Sequence, residues 1–385
     1  MRIKKILKII GILSVLILLV LSGMYVFILQ YPEIKDHPKM GKWYRVTTNE
    51  MKSSDGSKYS ALFKKGSENN IIVYFAGGGV SVNKEMARQE TYNTKRIPID
   101  IVANLTMNMG GIATASEDNP FKDWTVIAFP YATGDFHIGT GEFKYTDNNG
   151  KERTLYHNGF INFTSAMRKI MEYADIADPA KVFVTGYSAG GFGASLLADD
   201  IFSDYFPKAK SKTVLADSSL LLNDSWHSIA TDVWRSPKHI SDRLVSNNIT
   251  LDSLTALHER WGDKVNILFD SSTRDGDLAK VQNYFDTGNM KVDEEKADKY
   301  QQILKETIPK FKKQANAYIF IWDGLPWYDD PQNLTMHTII ATPAFHNKFK
   351  KIDISICDWV INAVNGKMED YGLNLVDKIY PPTDK

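Results

Sequence analysis

The chain has 385 residues, of which 43% are hydrophobic and 24% charged, a balance that suits a globular protein with a sizeable core. Lys+Arg and Asp+Glu each total 46, so the basic excess that a nucleic-acid binder presents to phosphates is missing. A single cysteine, Cys357, excludes an intramolecular disulfide and every multi-cysteine zinc or iron–sulfur site.

The mean hydropathy of −0.29 excludes a polytopic membrane protein but leaves room for one span. Residues 1–8 read MRIKKILK, and Ile9 to Leu29 carries no charge. About 21 residues at 1.5 Å rise reach roughly 31 Å, enough to cross a bilayer core. The length favours an uncleaved anchor over a cleaved signal peptide, and the basic flank places residues from about 31 onward outside the cytoplasm. Residues 31–42 read as a tether and 43–385 as one catalytic-size domain.

Residues 43–66 alternate around Asp55-Gly56 and predict a β-hairpin. Continuous apolar runs at Ile71 to Ala76 and Trp124 to Phe129 predict buried strands of a mostly parallel sheet. Asn149-Gly150 marks a second hairpin within 142–156. A helix over Asn158 to Ala174 precedes a strand at Val182 to Thr185. Further strands fall at Thr213 to Ala216, Val265 to Phe269 and Ala317 to Trp322, with helices over 292–313 and Ile352 to Val364. This alternation predicts an α/β fold: a mostly parallel central sheet flanked by helices. Residues 220–262 read as a helical and loop insertion over the sheet.

Gly186-Tyr187-Ser188-Ala189-Gly190 matches G-x-S-x-G, the sharp strand-to-helix turn that exposes a serine hydroxyl above a sheet. The β-branched run before it and the helical spacing after it supply the context the motif needs. A serine needs a base, and the base an orienting acid, in the chain order Ser, Asp/Glu, His. His37, His137 and His157 precede Ser188, and His227, His239 and His258 fall in or near the insertion. His337 lies in a loop after the strand ending at Trp322 and is favoured over His346 as the base. Asp275 and Asp277 lie in the loop after the Val265 to Phe269 strand, and Asp217 after the preceding one; all three are candidates for the acid. The N–H of Ala189 and those of the early loop Gly77-Gly78-Gly79 are the expected oxyanion donors.

These residues resemble the pectin acetylesterase/Notum family. SSDGSKYSALFKKG with IIVYFAGGG is similar to its opening hairpin and oxyanion loop. VFVTGYSAGGFGA is similar to its nucleophile elbow, and MHTI to its histidine loop. The resemblance implies an α/β-hydrolase-like serine esterase without a metal or other cofactor, with Ser188 as nucleophile, His337 as base and Asp275 as acid. Where familiar members carry cysteines, this chain reads Val80-Ser81 and Tyr187, so it looks like a distant, cysteine-poor, bacterial-looking member. The expected partners are an O-acyl ester, best O-acetyl on carbohydrate, and the membrane through residues 1–30. The rival readings are a lipase-like carboxylesterase for longer chains and an inactive surface-anchored binding protein.

Overall fold

The computed structural model describes residues 31–94, 111–325, 328, 330–349 and 352–381. The apolar run expected to be an anchor lies outside these residues. Among the described residues, no helix is long and apolar enough to cross a membrane.

β1 (Trp43–Val46) and β2 (Ala61–Lys64) form the antiparallel pair expected of the first alternating stretch. β2 continues antiparallel onto β4 (Thr125–Phe129). From there the sheet is parallel, through β3 (Asn70–Phe75), β7 (Lys181–Tyr187), β8 (Ser211–Asp217), β9 (Asn266–Ser272) and β10 (Tyr318–Trp322). The order is β1-β2-β4-β3-β7-β8-β9-β10. β5 (Glu142–Thr146) and β6 (Glu152–Tyr156) make a separate two-stranded ribbon.

The central strands are buried along nearly their whole length because helices cover both faces, which is why they read as unbroken apolar runs rather than alternation. α1 (Lys84–Gln89) follows the glycine loop. α2 (Gly159–Tyr173) packs near β1 and β2. All twelve residues of α3 (Ala189–Asp200) are buried, and this helix lies on β3, β7 and β8 at the middle of the sheet.

The segment expected as an insertion divides in two. Its first half holds short helices, Trp226–Ser228 continued by a π-helical stretch over Ile229–Val233, then Lys238–Ser241, and seats Trp226 and Trp234 against Phe136. Its second half is α4 (Ile249–Trp261), which packs on α3 and so rides above the helix that lies on the sheet. The apolar residues Leu251, Leu254 and Leu257 bury one face, the periodicity of a layer helix. α5 (Gly276–Thr287) and α6 (Glu294–Gln314) connect β9 to β10. α7 (Ile356–Val364) closes the fold against β8 and buries Cys357, whose thiol burial pushes up to about 12.

Candidate active site

β7 lies between β3 and β8, with Gly186 opposite Phe75 and Tyr187 opposite Asp217. The chain then turns at Ser188, whose φ of 54° and ψ of −126° are unusual for a residue with a Cβ. Such strain costs about 1–3 kcal/mol and persists only where neighbours enforce it. Here Ser188 N–H donates to the Asp217 carbonyl at 2.9 Å, and the Ser188 carbonyl accepts from Gly191 and Phe192. A Cβ on Gly186 would sit 2.3 Å from the Gly190 carbonyl oxygen, and one on Gly190 2.0 Å from that of Phe75. Both glycines of the motif are therefore required by backbone contact, and the serine is driven to the head of α3.

Gly77 follows β3 and presses on the elbow. A Cβ there would meet the Tyr187 carbonyl oxygen at 2.5 Å and Ser188 Cβ at 2.7 Å. The loop is braced from below by His137, whose Nε2 lies 3.0 Å from the Ala76 carbonyl. Burial pushes His137 down to about 4, so the ring is neutral and Nε2–H is the donor to that carbonyl. The Gly77 amide is shared with the Tyr187 hydroxyl, a contact that tempers the burial-driven rise of this phenol to about 12.

The acid side is built differently. β9 runs on to Ser272, so Asp270 is inside the strand and Asp275 is the N-cap of α5. Asp275 Oδ1 accepts from the amides of Asp277 and Leu278 at 3.1 and 2.9 Å, and Oδ2 lies 2.7 Å from His337 Nδ1. Asp275 caps the helix and also faces the histidine, because a capping carboxylate has a second oxygen to spare. Asp277 stands exposed on the first turn, at the cavity rim. Asp217 is not beside the ring; its carboxylate accepts the amides of Ile339 and Ile340. His346 ends a short 3-10 turn, with Nε2 3.4 Å from the Gly111 carbonyl.

The histidine loop is tied to the N-terminus of α5 by residues that carry no motif. Thr335 bridges Asp275 in parallel, its N–H donates to the Arg274 carbonyl, and its hydroxyl accepts from Arg274 N–H at 2.9 Å and donates to Ser272 Oγ at 2.8 Å. The guanidinium of buried Arg274 holds the Asn333 carbonyl at 2.8 Å and pairs with Asp298. Arg274 and Thr335 carry no sequence signal for this role, because their partners are distant in the chain, and Asp217, a candidate for the acid, instead holds the chain after His337.

Burial lowers the titration of His337, but the Asp275 charge and hydrogen bond, with smaller help from Asp277 and Asp217, outweigh it and push the group up to about 9. Burial raises Asp275, and its contact with His337 opposes that rise. Ser188, Ala189, His337 and Gly77 to Gly79 line one cavity of about 580 Å³. Its other wall is apolar, with Phe136, Phe192, Leu221, Leu278, Val281 and Met290. Among the described residues, no group of three His, Cys, Asp or Glu side chains is placed to hold a metal ion.

Residues 41–242 match the family model described as pectinacetylesterase. The chain belongs to the pectinacetylesterase family. Family membership makes it an ester hydrolase. The match takes in the glycine loop and the elbow and stops short of the Asp275 and His337 loops. No curated protein matches the chain. Its fold is similar to that of the Drosophila Wnt deacylase Notum. One crystal form superposes with a TM-score of 0.59 at 14% identity, covering 88% of this chain and 96% of that one. A second form gives 0.56 at 14% identity, covering 84% and 93%. At that identity the likeness is one of fold, the α/β-hydrolase architecture.

Proposed function

We propose that the protein is an extracytoplasmic serine esterase that uses Ser188, His337 and Asp275 as a triad. The observation that carries this reading is the 2.7 Å contact from Asp275 to Nδ1 of His337, in a ring that shares its cavity with the strained Ser188. Asp275 fixes the tautomer with Nδ1 protonated, which leaves Nε2 as the base. Nε2 takes the Ser188 proton as Oγ bonds to the acyl carbon, then gives it to the departing alkoxide as the ester C–O bond breaks. Water repeats the sequence on the acyl-enzyme and releases the acid. The amides of Ala189 and Gly78 hold the developing oxyanion, with the Gly77 amide contributing as far as its contact with Tyr187 allows. No step calls for a cofactor.

The substrate we propose is an O-acyl ester on carbohydrate, O-acetyl first, as the family name suggests. One observation favours a second reading: the apolar wall and the 580 Å³ cavity offer more room than an acetyl methyl fills, and they suit a longer acyl chain. A p-nitrophenyl ester series on the domain from about residue 35 separates the two. Peak kcat/KM at acetate supports the carbohydrate ester, and a peak at longer chains supports the lipase-like alternative. Labelling of Ser188 by a fluorophosphonate probe supports the enzyme, and failure to label supports the inactive binding protein. The proposed location is the cell membrane with the catalytic domain outside, or secretion if the N-terminal segment is removed. Finding Met1 in the mature, membrane-bound protein supports the anchor, and soluble protein starting near Met24 supports cleavage.

A further inference from the structure

Asp217 ends β8 directly opposite Asp270 on β9, and both are completely buried. Residues in register on neighbouring strands point to the same face only a few ångströms apart. Each carboxyl has one oxygen engaged elsewhere. Asp217 Oδ2 accepts the amides of Ile339 at 3.0 Å and Ile340 at 2.9 Å, and Asp270 Oδ2 accepts the Trp322 indole N–H at 3.2 Å. The other oxygen of each, Oδ1, is buried with no hydrogen-bond partner among the described residues, and the strand register sets the two carboxyls side by side. Two buried carboxylates side by side repel each other, and one proton between them removes the repulsion and gives both Oδ1 atoms a partner.

The same two residues join the parts of the site. The Asp217 carbonyl accepts the Ser188 amide at 2.9 Å, and the Asp270 carbonyl accepts the Ser218 amide at 2.9 Å. Ser218, held at a φ of 49°, in turn accepts the Thr338 amide on its hydroxyl. One residue therefore grips the nucleophile turn through its backbone and the chain just after His337 through its side chain.

We propose that Asp217 and Asp270 form a proton-sharing carboxyl pair that acts as a positioning unit, fixing the histidine loop relative to the serine elbow. The proposal rests on the esterase reading for its kinetic part alone. Asp217, with two amide donors, carries the charge, and Asp270, with a single indole donor, keeps the proton. Burial raises both groups, and the Asp217 charge raises Asp270 further. The titratable groups facing the pair are Tyr74 from β3, Tyr187 from β7, Asp275 at the head of α5, and His337, the one among them able to carry positive charge.

Infrared spectroscopy of the whole protein at about pH 8 tests the shared proton. At that pH Asp135, the buried carboxyl that burial pushes up to about 6, is ionised. The parent should show a protonated-carboxyl stretch that Asp270→Asn and Asp217→Asn both abolish. Absence of the band in the parent, or its survival in either variant, overturns the pair. Kinetics on a short p-nitrophenyl ester test the positioning. Asp217→Ala should lower kcat about 100-fold with KM changed less than about threefold, since it releases the loop without touching the cavity. Asp217→Asn keeps an oxygen for both amides and should stay within about tenfold of the parent. A harmless Asp217→Ala, or an Asp217→Asn as poor as Asp217→Ala, overturns the positioning role. If Asp217→Ala does not fold, Asp217→Asn and the infrared band still decide. A parent with no esterase activity would count against the triad, while the band would still report on the pair.

Discussion

The two halves of the site are held by different means. On the serine side every restraint is local or one strand away: Gly186 and Gly190 clear the turn, and the Asp217 carbonyl pins Ser188 N–H. On the histidine side Asp275 and His337 are 62 residues apart, and their meeting depends on side chains such as Thr335, Arg274 and Asp217. A turn written into five consecutive residues tolerates change elsewhere in the chain. A pairing between two loops fails wherever one of its scattered ties is cut.

The largest expected effect breaks the serine side directly. Ser188→Ala should fold and lose about 10⁶-fold in kcat, because no acyl-enzyme can form; ester turnover and loss of fluorophosphonate labelling check it. Breaking the histidine side comes next. Asp275→Asn should cost about 10⁴ in kcat with little change in Tm, since asparagine also caps a helix. Asp275→Ala should show the same kinetic loss together with about 1 kcal/mol of stability, because it removes the cap as well. Asp277→Asn should stay within a few-fold of the parent. A large loss at Asp277 and a small one at Asp275 would reverse the assignment.

The acidity of the site gives a third test. His337 titrates at about 9 when folded and near 6.5 when unfolded, so the resting ring is largely imidazolium near neutrality. In the proposed mechanism the base is the neutral ring, so kcat/KM should climb about tenfold per pH unit from neutrality and level off near 9. The same shift favours the folded state. Its contribution is complete below about 6.5 and disappears as pH rises through about 9. Asp275→Asn removes the largest raising influence and should move the kinetic midpoint down. The smallest effect sharpens the contrast. Thr335→Val leaves the Arg274 amide without its acceptor and should cost about 1–3 kcal/mol of stability and about tenfold in kcat. Denaturant melts and single-turnover assays separate the two losses.

The same contrast governs what could be read from sequence. The strands were legible because sheets buried on both faces are written as unbroken apolar runs, as in IIVYF and TVIAF. The elbow was legible because its backbone geometry permits few residue types. The choice among Asp217, Asp275 and Asp277 turned on which oxygen each amide and ring nitrogen meets, and spacing says nothing of that. The two oxygens of Asp275 serve both the helix cap and the histidine contact, a double role that spacing does not reveal.

Cys357, buried in α7 against β8, makes this fold easy to time. The thiol is 4% exposed, and its titration at about 12 leaves almost no thiolate near neutral pH, so a disulfide reagent finds little to react with in the closed protein. With one cysteine in the chain, each modification event then counts one opening of the region around α7. The residue thus serves as a built-in clock, able to show whether a variant that has lost activity has also begun to come apart.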